Sequence, residues 1–403
     1  MPHGSSSSVA SVTFRSILSS VESLPYRWPR LPDQMSSPVA LLRSCTNNAD
    51  AEREWEDHAS GVSPLLHDKL PTLLESFIGV KRVHGTPKER ALYASMTPTQ
   101  LVTRLLSCRP LTFFDPNDTW KLKSGHIGQM GWDAIGSAEE QAPLTLNELL
   151  SYDEIAIAAL ISVAVPTRFI NDGGRNNQGF PVLPPATCEQ SGVYTGCVGP
   201  RFERVGQMEW AHLIVSPEQN TEANGYGPRR EVPPMSATSP APSGGEASAM
   251  ALSESEMRHG LLQAWAAFYG RSHLPTYEEV VASAAAHPQR YLPVDHSVYL
   301  DVELYRHRIR VVAEPFLLDA NRRAAACGKQ AYVHLVGLGL GAWGLHQAQG
   351  AHMVQAYAEM LNSLKLPAIH TIDFSYFPPE VKDCGGAQSG AIFPSSQPET
   401  KVR

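Results

Sequence analysis

The chain is poor in the features that mark the commonest function classes. Its six cysteines, Cys45, Cys108, Cys188, Cys197, Cys327 and Cys384, form no CxxC pair, so neither a zinc site nor a compact disulfide framework is signalled. No apolar run reaches the roughly 18 residues that a membrane span needs. Charged residues make up only 18%, against an average of about 25%. The formal net charge of -7 is opposite to the strong basic face of nucleic-acid binders. No GxSxG, HExxH or GxxxxGKS/T stretch occurs, which removes the main support for a serine hydrolase, a zinc protease or a P-loop NTPase. His346 and His352, six apart, do not share a helix face, so no metal-ligand set and no cofactor is expected. What remains is an ordinary globular composition, 42% hydrophobic over 403 residues, with a small molecule as the expected partner and neither nucleic acid nor membrane.

Composition divides the chain. Residues 1–37 and 383–403 are rich in Ser, Gly, Pro and charge and read as disordered tails. The first thirty residues are serine-rich with three arginines and one glutamate, a pattern shared with transit peptides. The secretory apolar core is missing, so the default location is the cytoplasm, with the mitochondrion as the alternative. Residues 38–144 read as an α-rich region, because "KLPTLLESFIGV" and "PTQLVTRLLS" carry apolar residues at helical spacing. Residues 145–382 alternate helical and strand patterns and predict an α/β domain. It is interrupted by a flexible Pro/Ser/Ala/Gly insertion at 228–250. Within it, "MEWAHLIV" and "AYVHLVGLGL" predict strands, and a helix is predicted to start near Trp343.

The stretch "VHLVGLGLGAWGLHQ" holds the clearest local signal. Gly337, Gly339, Gly341 and Gly344 fall within eight residues, where strand gives way to helix. Bare backbone there lets N–H groups approach a phosphate; it equally suits a tight packing turn. A dinucleotide-binding domain would need further strands downstream and an acidic residue about 20 positions on. Asp373 lies 29 residues after Gly344 with thirty residues left, which disfavours an NAD(P)-linked oxidoreductase. Two further loops follow predicted strands. One holds Asn171, Asp172, Gly173, Gly174, Arg175, Asn176 and Asn177; the other holds Gln219, Asn220, Thr221, Asn224 and Tyr226. Side-chain amides suit sugar hydroxyls and base edges, and the Arg175 fork suits a phosphate, although the same residues also build ordinary turns. Asp172, Glu203 and Glu209 are the carboxylates nearest in sequence to these loops, and each is a candidate acid or base.

The order strand, glycine loop, helix, strand, with "VGLGLGAWG" as the loop, resembles the last βαβ unit of macrodomains, the modules that bind ADP-ribose; "FINDGG" is similar to their ribose-side asparagine turn. The resemblance implies a mixed sheet flanked by helices, with Gly337, Gly339, Gly341, Trp343 and Gly344 at the diphosphate and Asn171 at the distal ribose. The triple-glycine and double-glutamate signature of poly(ADP-ribose) glycohydrolases is absent, so no catalytic glutamate carries over. The expected function is binding of ADP-ribose or a similar nucleotide diphosphate sugar, with hydrolysis of an ADP-ribosyl linkage. The alternative is a non-catalytic interaction or effector protein on an α/β scaffold.

Overall fold

A computed structural model of the chain describes residues 57–58, 60–169, 191–228, 246–394 and 400–403. The Asn171 to Asn177 loop, the tail 1–37 and most of the 228–250 insertion lie outside these residues. Among them, no helix is long and apolar enough to cross a membrane.

Helices begin where the sequence supplies their first-turn hydrogen bonds. In α1 (Leu70–His84) the buried residues Leu70, Leu73, Leu74, Phe77 and Ile78 recur at spacings of three and four, behind a proline in the first turn. α2 (Pro87–Tyr93), α3 (Pro98–Ser107), α4 (Tyr152–Ala158) and α7 (Tyr277–Ala284) each start with a complete capping box: Thr86 with Glu89, Thr97 with Gln100, Ser151 with Glu154, and Thr276 with Glu279. Each box satisfies two backbone donors that would otherwise be orphaned. The long α8 (Val302–Ala326) is capped by Asp301, whose carboxylate accepts from Glu303 N and Leu304 N.

Strands sort into several small sheets rather than one. β1 (Ser63–Leu65), β5 (Ser162–Arg168) and β6 (Ser191–Gly196) pair antiparallel. β2 (Thr112–Phe114), β3 (Thr119–Lys121) and β4 (Ile127–Gly128) form a meander. α5 (Glu209–Leu213) runs into β7 (Ile214–Val215), which joins β8 (Tyr291–Asp295) and β9 (Val298–Asp301) in the order β7-β9-β8. Behind the linker, α6 (Glu246–Phe268) lies along α1, with Val80 against Gly260 and the Lys81 ammonium at the Met257 sulfur. β10 (Ala331–Val336), α9 (Gln349–Ser363) and β11 (Ile369–Ser375) make a parallel crossover, the βαβ arrangement read from the sequence.

One expectation fails here. The segment 383–403 is not a disordered tail where it is described. β12 (Asp383–Cys384) pairs with β13 (Ala387–Gln388), and β14 (Lys401–Val402) joins β11 in parallel, with Phe393, Thr400 and Val402 buried. The N-terminal α-rich region shares its core with the rest of the described residues. A single buried cluster runs from Leu70 and Phe77 through Trp265, Tyr305 and Ile309 to Val333, Met353 and Ile372. Buried charge ties the same joint: Arg104 bonds Glu154 at 2.6 Å, Tyr93 donates to that carboxylate, and Lys81 bridges Glu89 and Asp153. A smaller cluster around Trp120, Trp132, Leu149 and Met208 seats the meander on α4 and on the segment before α5.

Candidate active site

The bare backbone at 337–344 has a structural cause. β10 ends at Val336 and α9 begins only at Gln349, not near Trp343. Glycine disfavours helix, and a turn in which Gly344 N donates to Gly341 O takes its place. Gly339 has φ +73°, and a Cβ there would stand 2.7 Å from Pro200 O. Both facts require glycine. Gly341 faces open space and is exposed, Gly344 is exposed, and Trp343 is half-buried. The loop thus presents backbone outward while its Gly339 side touches a second segment.

That second segment follows β6. A Cβ on Gly199 would overlap the carbonyl carbon of Leu338, so residues 199–200 and 338–339 form one seam. Immediately beyond it, Arg201 is buried, donates from Nε to Glu203 at 3.0 Å, and lies 4.4 Å over the Phe113 ring. Arg204 reaches Asp118, Asp133 and the Tyr152 hydroxyl. Tyr152 also bonds Asp118; burial first, and that carboxylate second, push its phenol well above the usual range. Asp115, Asp118, Met130 and Met208 all have positive φ. All four lie where the meander meets this segment, and such strain persists only where surrounding contacts over-determine it.

The carboxylate candidates differ in what they hold. Glu209 is 2% exposed and fully engaged: Oε1 accepts from Arg308 Nε at 2.8 Å and Oε2 from Arg201 N at 3.1 Å. Arg308, with no exposure, also donates from Nη2 to Val198 O at 3.0 Å. The Glu203 side chain is 7% exposed and, among the described residues, uses only Oε2, toward Arg201. Asp172 lies outside the described residues, as do Asn171, Gly173, Gly174, Arg175, Asn176 and Asn177.

The third loop turns its polar groups inward. Gln219 Nε2 donates to Trp210 O and Ile214 O, and Asn220 accepts from Ser216 N and donates to Pro275 O. Asn224 donates to Glu218 O and Gln219 O, and Tyr226 to Ala211 O. Toward the site, Gln219 Oε1 stands 3.9 Å from where a Cβ on Gly206 would be. Two surface depressions, of about 430 Å³ and about 210 Å³, lie elsewhere, lined by neither site loop. Among the described residues, no group of three or more His, Cys, Asp or Glu is placed to hold a metal ion.

Sequence reasoning missed Arg201, Asp118, Arg308 and Gln349. Arg308 did leave a trace: it sits three residues after Tyr305 and one before Ile309, a cation on the apolar stripe of a helix, which in a core demands a partner.

The family model for MavL-like ADP-ribosylhydrolases matches residues 34–403, nearly the whole chain. The chain belongs to that family. Two relatives from Drosophila melanogaster agree with the assignment. The ADP-ribosylarginine hydrolase CG3568 is 34% identical over 368 residues, 90% of this chain and 68% of the relative. The ADP-ribosylarginine hydrolase CG2909 is 30% identical over 339 residues, 83% of this chain and 62% of the relative. The chain therefore spans about two thirds of the relatives it matches. Membership of this ADP-ribosylhydrolase family supports ADP-ribosyl hydrolysis over the scaffold and oxidoreductase alternatives.

Proposed function

We propose that the protein hydrolyses the N-glycosidic bond between ADP-ribose and an arginine side chain, with the seam between residues 199–204 and 337–344 as its site. The observation that carries the reading is the contact of the outward-facing glycine loop with the segment that holds Glu203. Backbone N–H groups of Gly337, Gly339 and Gly341 face the diphosphate; Gly344, whose N–H is held by Gly341 O, closes the turn beside it, and Trp343 flanks it. Fixed N–H dipoles stabilise that charge without rearranging during the reaction. The arginine linkage is inferred from the activity for which the two relatives are named.

In the reaction, water attacks the anomeric carbon, the carbon–nitrogen bond breaks, and the guanidine leaves with a proton. Glu203 is our candidate to accept the proton from water, because one of its oxygens is uncommitted among the described residues. Arg201 fixes its orientation. Glu209, with both oxygens occupied, serves as a positioning residue, and Asp172 is the second candidate base. Asn171 and the residues to Asn177 are proposed for the ribose on the macrodomain resemblance. The inward bonding of Gln219, Asn220, Asn224 and Tyr226 gives them the role of holding the neighbouring turn.

The test is release of free ADP-ribose from matched peptides modified on arginine or on serine. Release from the arginine-linked peptide is expected, with Glu203→Gln lowering kcat by about 10²–10⁴ at an unchanged melting temperature. An unimpaired Glu203→Gln enzyme would transfer the role to Asp172. No release from the arginine-linked peptide would refute the reading.

A further inference from the structure

One turn of α8 holds both walls of the seam. Arg308 fixes the 198–201 wall, directly through Val198 O and through Glu209, which accepts from Arg201 N. Three residues earlier, the buried Tyr305 has the Gln349 side chain as a polar neighbour, and among the described residues neither Tyr305 OH nor Gln349 Nε2 has a hydrogen-bond partner. Gln349 is 1% exposed, and its Oε1 accepts from Leu345 N at 2.6 Å and from His346 N at 2.8 Å. The preceding Ala348 offers no side-chain cap to α9, so Gln349 reaches back to hold the end of the glycine loop itself. Helix N-termini leave four donors unsatisfied; here two of the N–H groups just ahead of the helix converge on one amide oxygen. The loop is anchored at Gly339 by contact with Pro200 and at residues 345–346 by Gln349, and the exposed glycines hang between the two anchors.

We infer that Gln349 is the positioning residue of the glycine loop: a latch that, seated on Tyr305, sets the loop against a wall registered to the same turn of α8. This rests on the phosphate-loop reading above. Without the latch the loop must find its ligand-bound shape anew, so affinity falls while the fold survives.

The test uses the full chain, ADP-ribose as the probe, and calorimetry beside thermal melting. Gln349→Met, near in volume but without the acceptor, should weaken ADP-ribose binding roughly ten- to a hundredfold, the worth of two hydrogen bonds. Tyr305→Phe, which leaves the acceptor in place, should weaken it less. Leu361→Ala, at the far end of α9, should lower the melting temperature with the dissociation constant unchanged. In the wild-type protein, amide exchange at Leu345 and His346 should be slow before ligand is added, a reading that holds even if a variant fails to fold. Unchanged affinity in Gln349→Met, or unprotected amides at both positions, would overturn the latch. Loss of affinity in Leu361→Ala equal to that in Gln349→Met would also overturn it, as general destabilisation. If the wild type itself does not bind ADP-ribose, the phosphate-loop reading falls, and exchange at the two amides alone decides whether the latch exists.

Discussion

Two loops that look similarly functional in the sequence have opposite physical character. The loop holding Gln219, Asn220, Asn224 and Tyr226 spends its amides and the Tyr226 hydroxyl on backbone partners at 2.8–3.3 Å and buries Asn220 and Tyr226. The loop from Gly337 to Ala348 leaves Gly341 and Gly344 exposed and, beyond its own turn bonds, makes two hydrogen bonds to Gln349. Rich side-chain chemistry therefore marks the closed loop and poor side-chain chemistry the open one. Amides within a turn compete first for their own backbone, whereas a glycine that contacts a distant segment records a shape that only the assembled site explains.

That contrast can be broken at graded cost. The largest effect is expected at the joint between the two loops. Glu209→Ala strands the Arg308 charge in the core, which should cost about 3–5 kcal/mol in urea melts and take activity with it. Next, Asn220→Ala removes the partners of Ser216 N and Pro275 O. It should lower stability by about 1–3 kcal/mol and leave the ADP-ribose dissociation constant unchanged; a shifted constant would mean that the closed loop meets ligand.

Acid tests α5, which lies between the 199–204 segment and the closed loop. Burial holds His212, stacked 4.1 Å from Trp265, down to about 3. The unfolded chain takes up this proton near 6.5 and the folded one does not, so the stability is present above that pH and is lost as pH falls. At pH 5 the loss from His212 should be about 2 kcal/mol. His307, which burial holds to about 4, adds to the same slope. In His212→Phe the decline between pH 6.5 and 5 should flatten; an unaltered slope would contradict the assignment. The smallest effect is expected at Gly341→Ala, where a Cβ meets nothing within 4 Å; stability should stay within about 0.5 kcal/mol of wild type.

The sequence announced what local chemistry decides. Four capping boxes stand as S/T-x-x-E/Q, and each starts a helix. The glycine run marked the break after β10. Tertiary contacts decided the rest. "MEWAHLIV" reads as a strand, yet Glu209 is drawn to Arg308 and the segment folds as α5, entered through Met208 at φ +49°. The meander strands, two or three residues each, are too short to show alternation. β14 exists because β11 offers it an edge, which composition cannot report. Gln349 is one polar residue ahead of a helix, and its role shows only when Leu345 and His346 point at it.

Gly341 gives the most direct measurement of the central claim. It is exposed, faces open space, and sits between the two anchors of the loop. Calorimetric titration of ADP-ribose into wild type and Gly341→Glu, beside their melting temperatures, should show binding in the wild type and its loss in the variant, with both proteins melting alike. Equal binding by the two would contradict the account, because no diphosphate could then lie against the glycine backbone.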